Sequence, residues 1–127
     1  MVKIINSDKA PAAIGPYVQA VDLGNLVFVS GQLPLDPATG TMSDDVSTQA
    51  KQSLANIKAI LAAANCQVGN IVKTTIFLAD MNDFAAVNAA YDQFFKDHNA
   101  SFPARSCVQV ARIPKDAKVE IEVIANR

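Results

Sequence analysis

The feature that most constrains this chain is a change of hydrophobic period near its middle. From Ser43 onward Val46, Ala50, Leu54, Ile57, Leu61 and Ala64 recur at spacings of 4, 4, 3, 4 and 3 residues, which places them on one stripe of an α-helix. Ser43, Asp44 and Asp45 are candidate N-caps, and Asn65 and Gly69 can each take the left-handed conformation that ends a helix. The segments on either side repeat every second residue instead, which is the period of a strand. A helix set among strands must lay its stripe on a sheet.

Tyr17 to Asp22 and Leu26 to Val29 read as two strands joined at Gly24-Asn25, since both residues tolerate the positive φ of a tight turn. Ile71 to Ala79 is rich in β-branched residues. It predicts a third strand with Val72, Thr74, Ile76 and Leu78 on one face and Ile71, Lys73, Thr75 and Phe77 on the other. Asn82 or Asp83 then caps a second helix with the stripe Phe84, Val87, Tyr91 and Phe94 or Phe95, ending near His98-Asn99. Two more strands follow Pro103. Their alternation assigns Val108, Val110, Val119, Ile121 and Val123 to the core and Arg105, Cys107, Gln109, Glu120 and Glu122 to the opposite side. The order of elements predicts an α+β domain spanning residues 1–127, one sheet under two amphipathic helices.

The apolar half of the composition (50% AVILMFWYC) includes 21 Ala and no Trp, so the excess lies in small, close-packing side chains. Either the monomer is very compact or another copy hides part of its surface. One histidine, His98, and two cysteines, Cys66 and Cys107, fall short of a four-ligand zinc site or a CxxC redox pair. A net charge of −1 without a Lys/Arg run gives no nucleic-acid footprint, and no stretch is apolar for the roughly 18–20 residues of a membrane span. Asp8 and Lys9 stand where a signal peptide would be apolar. The expectation is a cytoplasmic protein with no metal, cofactor, nucleic acid or membrane among its partners.

Candidate chemistry gathers near the C-terminal strands. Arg105 follows the rigid Phe102-Pro103-Ala104, and its planar fork of donors suits anchoring a small carboxylate; the plainer reading pairs it with Glu120 or Glu122. Glu120 is either a general base on a half-covered face or a solvated strand carboxylate. Cys107 is a thiolate favoured by Arg105 or a small semi-buried residue; its only candidate base, His98, sits at a helix C-terminus, where it complements the dipole. Ser30-Gly31 lets a ligand approach the backbone or forms a plain bulge. Tyr17 lids a pocket or begins a strand, and Asn88 lies off the apolar stripe of its helix.

Four further segments carry a resemblance. Ala10 through Tyr17, Val29-Ser30-Gly31-Gln32, Asp80-Met81-Asn82-Asp83-Phe84 with Val87-Asn88 and Tyr91, and Phe102 through Val108 continuing past Pro114-Lys115-Asp116 to Val119-Glu120-Ile121 together resemble the RidA (reactive intermediate deaminase A, YjgF) family across essentially the whole chain. Asn65 stands where many relatives have Gly.

The resemblance implies a chorismate-mutase-like fold, assembled as a homotrimer with sheets facing inward and a pocket at each subunit interface. It implies hydrolysis of 2-imino or enamine acids, chiefly 2-iminobutanoate and 2-iminopropanoate, to 2-oxo acids and ammonia. Such imines arise from pyridoxal-phosphate-dependent threonine and serine dehydratases. Carried over by position, Arg105 binds the carboxylate, Glu120 positions or activates water, and Tyr17 closes the pocket. Backbone groups of Gly31 and Cys107 contact the substrate nitrogen or the water, and Ser30, Asn88 and Pro114 line the site. The alternative is a trimer that binds a 2-oxo acid as a signal without turnover. In either case the covered surface is expected to be the sheet face carrying Gln109 and Glu122.

Overall fold

The computed structural model describes residues 2–127. Strands β1 (Lys3–Ile5), β2 (Ala20–Asp22) and β3 (Leu26–Gln32) lead to helix α1 (Val46–Ala63). Then come β4 (Ile71–Leu78), α2 (Phe84–Asp97), β5 (Ala104–Gln109) and β6 (Val119–Asn126). They form one six-stranded sheet in the order β1-β2-β3-β6-β4-β5. Every neighbouring pair is antiparallel except β4 and β5.

This order explains why both helices share a face. β3, β4 and β5 run parallel to one another, and the crossovers β3-α1-β4 and β4-α2-β5 step in the same direction across the sheet. Crossovers of this kind are right-handed, so two steps in one direction put both helices on one side and leave the other side bare. Between sheet and helices lies the main core, with Leu54, Ile57, Ile60, Leu61, Ile76, Phe95, Val119 and Ile121 at most 1% exposed. A smaller cluster of Leu33, Leu35, Ile113 and Ala117, with Phe77 and Val110 packed on it, anchors the loops at one end of the sheet.

Local chemistry fixes the helix ends where the sequence places them. Asp45 caps α1 by accepting from Thr48 N–H at 2.9 Å. Asn65 (φ 59) ends that helix, with Cys66 N–H donating to Leu61 O at 2.8 Å and Asn65 N–H to Ala62 O at 3.0 Å. Asn99 (φ 50) repeats the same pair of bonds after α2, from Ala100 N–H to Phe95 O and from Asn99 N–H to Lys96 O. Both are Schellman ends, in which asparagine supplies the left-handed residue. Gly69 has no such role.

Several expectations are corrected. β2 begins only at Ala20, and β1 pairs with it as an unforeseen edge strand. A register shift between Ile71 and Lys73 buries Ile71 and leaves Val72 44% exposed, reversing the predicted alternation at the start of β4. Phe84, expected in the α2 stripe, is 39% exposed.

The largest correction falls on β5. Its parallel register sets Arg105 beside Thr74 and Cys107 beside Ile76, and Thr74 and Ile76 are fully buried on the helix side. Arg105, Cys107 and Gln109 therefore share the helix-covered face, and Cys107 packs on the main core. Val108, predicted to be core, is 43% exposed on the bare face beside Phe77. Gln109 turns instead toward the start of α2, where its Oε1 accepts from Met81 N–H at 2.7 Å.

Candidate active site

The Arg105 side chain leaves the sheet edge under α2. Its Nη1 donates to Asn88 Oδ1 at 2.7 Å, and its guanidinium carbon lies 5.0 Å from the Tyr91 ring centre and 5.6 Å from that of Phe84. Phe84, Asn88 and Tyr91 follow one another at helical spacing, so a single face of α2 supplies all three contacts. Asn88 is the one hydrogen-bond acceptor Arg105 has among the described residues, which leaves the rest of its donor fork open. The fork borders a hollow of about 290 Å³ lined also by Asp92, Phe102 and Pro103. Neither Glu120 nor Glu122 pairs with Arg105 among the described residues, so the plain surface ion pair is not what holds it.

Cys107 sits next to this arginine on the same face. Burial pushes its thiol up, and the opposing pull of Arg105 is the smaller effect, so the thiolate is disfavoured rather than promoted. The Cys107 backbone is better placed for chemistry. Val110 N–H donates back to Leu78 O at 2.9 Å, and backbone polarity alternates along a strand. Cys107 N–H and C=O therefore point out of the free edge of β5. His98 caps α2, its Nδ1 2.6 Å from Phe94 O, so that ring nitrogen is engaged within its own helix.

Glu120 rises from the other face of the sheet, next to Phe77. It borders a hollow of about 410 Å³ whose walls include Tyr17, Ser30, Gly31, Pro114 and Glu122. A register shift between Val29 and Gln32 sets Ser30 and Gly31 as a bulge in β3. A Cβ at Gly31 would lie 2.5 Å from Glu120 Oε2, so the glycine makes room for the carboxylate. Burial raises the Glu120 carboxyl above the usual range, and Glu122 adds to the shift. Ser30 Oγ donates to Val18 O at 2.7 Å, and the Tyr17 hydroxyl accepts from Ile14 N–H at 3.2 Å, folding the ring over the Gly15-Pro16 turn. Pro114 opens a turn in which Lys115 (φ 59) and Asp116 (φ 55) are both left-handed, held by the Arg112–Asp116 pair at 2.7 Å and by buried Ile113 and Ala117.

The sequence residues thus form two groups. Arg105, Asn88 and Cys107 lie at the edge of the helix face; Tyr17, Ser30, Gly31, Pro114 and Glu120 lie on the bare face. Glu120 and Arg105 stand on opposite faces and two strand spacings apart, about 10 Å laterally. A small acid cannot touch both within one copy. The expectation that Arg105 and Glu120 share a face is therefore corrected.

The profile of the family described as Endoribonuclease L-PSP, which is the RidA/YjgF family, matches residues 7–127. The chain belongs to the RidA family. It is 65% identical over 127 residues to a Salmonella typhimurium protein named 2-iminobutanoate/2-iminopropanoate deaminase, covering 100% of this chain and 99% of the relative. An Escherichia coli protein of the same name is 63% identical with the same coverage. The crystal structure of Escherichia coli TdcF with bound serine superposes with a TM-score of 0.97 at 59% identity, covering 98% of each chain. In this RidA chain the two rings against Arg105 are Phe84 and Tyr91, which the sequence pattern assigns to a core stripe and not to the site. The signal was their spacing from Asn88, which puts all three on one turn-to-turn line of α2.

Proposed function

We propose that this chain hydrolyses 2-imino acids such as 2-iminobutanoate and 2-iminopropanoate to 2-oxo acids and ammonia, as a homotrimer whose sites form between copies. The observation that carries the activity is full-length identity above 60% to relatives named for it. The serine bound by TdcF, a small molecule with an α-carboxylate, is of the class an arginine fork accepts.

Two features support assembly. The bare sheet face presents Ile4, Val21, Phe28 and Ile124 as one continuous cross-strand row, with Ile4 60% and Phe28 39% exposed. Monomers rarely leave such a face in water. The two residue groups also need each other, and a neighbouring copy that sets its Arg105 edge against the bare face meets the Glu120 hollow there. The covered surface then carries Glu122, Phe28 and Val108, not Gln109.

In such a site Arg105 holds the substrate carboxylate, and Asn88 steadies the guanidinium. Water adds to C2, the C=N electron pair passes to nitrogen, and the carbinolamine then expels ammonia as the C=O forms. Glu120 of the facing copy, with its raised affinity for a proton, takes one from the water as it adds and passes it to the nitrogen, then carries the carbinolamine hydroxyl proton to the same nitrogen as it leaves as ammonia. Outward backbone groups of Cys107, with those at Gly31, hold the nitrogen or the water, while Tyr17, Ser30 and Pro114 wall the site. Because imines hydrolyse spontaneously in water, orientation supplies much of the acceleration.

A threonine dehydratase coupled to 2-oxobutanoate detection tests this. Wild type should speed release of the oxo acid and Arg105→Ala should abolish the effect. Equal acceleration by Arg105→Ala would refute the anchor, and tight oxo-acid binding without acceleration would make the protein a sensor. RNA cleavage, which the family description names, finds little support in a chain of net charge −1.

A further inference from the structure

The Arg105 guanidinium rests on the Tyr91 ring, and that ring is tied to the strand beside Arg105. Tyr91 is 5% exposed, and its hydroxyl donates to Thr74 Oγ1 at 3.0 Å. Thr74 is fully buried and lies directly opposite Arg105 in the parallel register of β4 and β5. The contacts close a circuit. The strand register sets Arg105 beside Thr74, the hydroxyl pair joins Thr74 to Tyr91, and the cation–π contact joins Tyr91 back to Arg105.

Packing alone does not ask for that hydroxyl. Phenylalanine at 91 and valine at 74 would fill nearly the same volumes without two buried polar atoms that must find each other. What the pair adds is a fixed ring plane. Asn88 bonds one guanidinium nitrogen, and a single hydrogen bond leaves the fork free to turn about it. A flat ring beneath the fork removes that freedom, and a bidentate carboxylate site needs it removed before the ligand arrives.

We propose that Tyr91, held by Thr74, is a positioning residue for Arg105, setting the guanidinium plane so that its open edge meets a carboxylate with two parallel N–H donors. The proposal rests on Arg105 being the carboxylate anchor. Burial also raises the Tyr91 phenol, so its hydroxyl stays protonated and able to donate throughout the neutral range.

Calorimetry with 2-oxobutanoate on the full chain tests it, with thermal unfolding measured alongside. Tyr91→Leu removes the platform and should weaken binding roughly tenfold. Tyr91→Phe and Thr74→Val keep the ring and untie it, and each should weaken binding roughly threefold. In the coupled assay KM should rise in step while kcat changes less, since a uniform binding contact is what loosens. A merely structural tyrosine would lower the unfolding temperature and leave the oxo-acid affinity alone. If Arg105→Ala binds 2-oxobutanoate like wild type, the anchor itself fails, whatever the Tyr91 variants do. If Arg105→Ala loses binding while Tyr91→Phe, Thr74→Val and folded Tyr91→Leu all keep wild-type affinity, the anchor stands and the positioning role is overturned. Should Tyr91→Leu not fold, wild-type affinity in the two conservative variants overturns it alone.

Discussion

At Gly31 a side chain and a carboxylate compete for one volume. The Cβ of Gly31→Ala would sit 2.5 Å from Glu120 Oε2 and 3.0 Å from Cδ, contacts that one must relieve by moving. The atoms in the way are the far end of a flexible side chain, so the fold should survive with a stability change within about 1 kcal/mol. Displacing a catalytic carboxylate by about an ångström costs activity far more, on the order of a hundredfold. Unfolding midpoints near wild type beside a collapsed kcat/KM would confirm that Gly31 serves Glu120; unchanged turnover would count against it. Asp22 offers a residue-scale prediction in acid. Its carboxylate takes Arg127 Nη1 and Nη2 at 2.8 Å each and Gly24 N–H at 2.8 Å, and the Arg127 bonds first, then Gly24, hold it down to about 2. A depressed carboxyl contributes stability above its unfolded value of about 3.9, and that contribution disappears as pH falls through the folded value. Asp22→Asn should therefore flatten the loss of stability between about pH 4 and pH 2, read from urea midpoints. Parallel curves for the two proteins would show that the pair is not linked to acid unfolding.

Among the elements, α1 shows both what periodicity reveals and what it hides. Its apolar stripe, its Asp45 cap and its Asn65 end are all legible from spacing and residue type. Hidden is a second buried line, Gln49, Ser53 and Asn56, which any hydropathy pattern assigns to solvent. Asn56 Nδ2 donates to Leu33 O and Leu35 O, and Gln49 bonds Ser43 O and Lys118 N–H, so loops remote in sequence decide the burial. Ser53 is the exception, fully buried and with no hydrogen-bond partner for its Oγ among the described residues. Ser53→Ala removes an unsatisfied hydroxyl and improves helix propensity, and should stabilise by about 1 kcal/mol in chemical denaturation. A loss of stability would mean that the hydroxyl has a partner. β5 failed for a related reason. Val108 and Val110 look like core beside small Cys107, but the face of an edge strand is set by its partner's register, which pairs Cys107 with buried Ile76. Residue identity drew attention to Arg105 and Asn88, which the structure brings into hydrogen-bond contact; the sheet face on which Arg105 stands required the pairing.

For the whole molecule, the separation of Arg105 from Glu120 turns the assembly proposal into arithmetic. Suppose each site takes Arg105 from one copy and Glu120 from the next around a closed ring of three, as a heterologous interface requires. Arg105→Ala and Glu120→Ala are then each defective at every site. In a ring that mixes the two variants, going round in the direction that pairs an intact arginine with the following intact glutamate, one interface of the three regains both groups, whichever variant is in the majority. Random reassortment of equal amounts leaves about three-quarters of rings mixed, so roughly a quarter of all sites should recover. Denaturing the two variants together, refolding them and running the coupled dehydratase assay measures that fraction, with sedimentation confirming the trimer and separately refolded, unmixed variants setting the baseline. A site confined to one copy predicts no recovery at any mixing ratio. So would a monomer, and recovery near the expected quarter is the one result that requires both the ring and the division of the site across it.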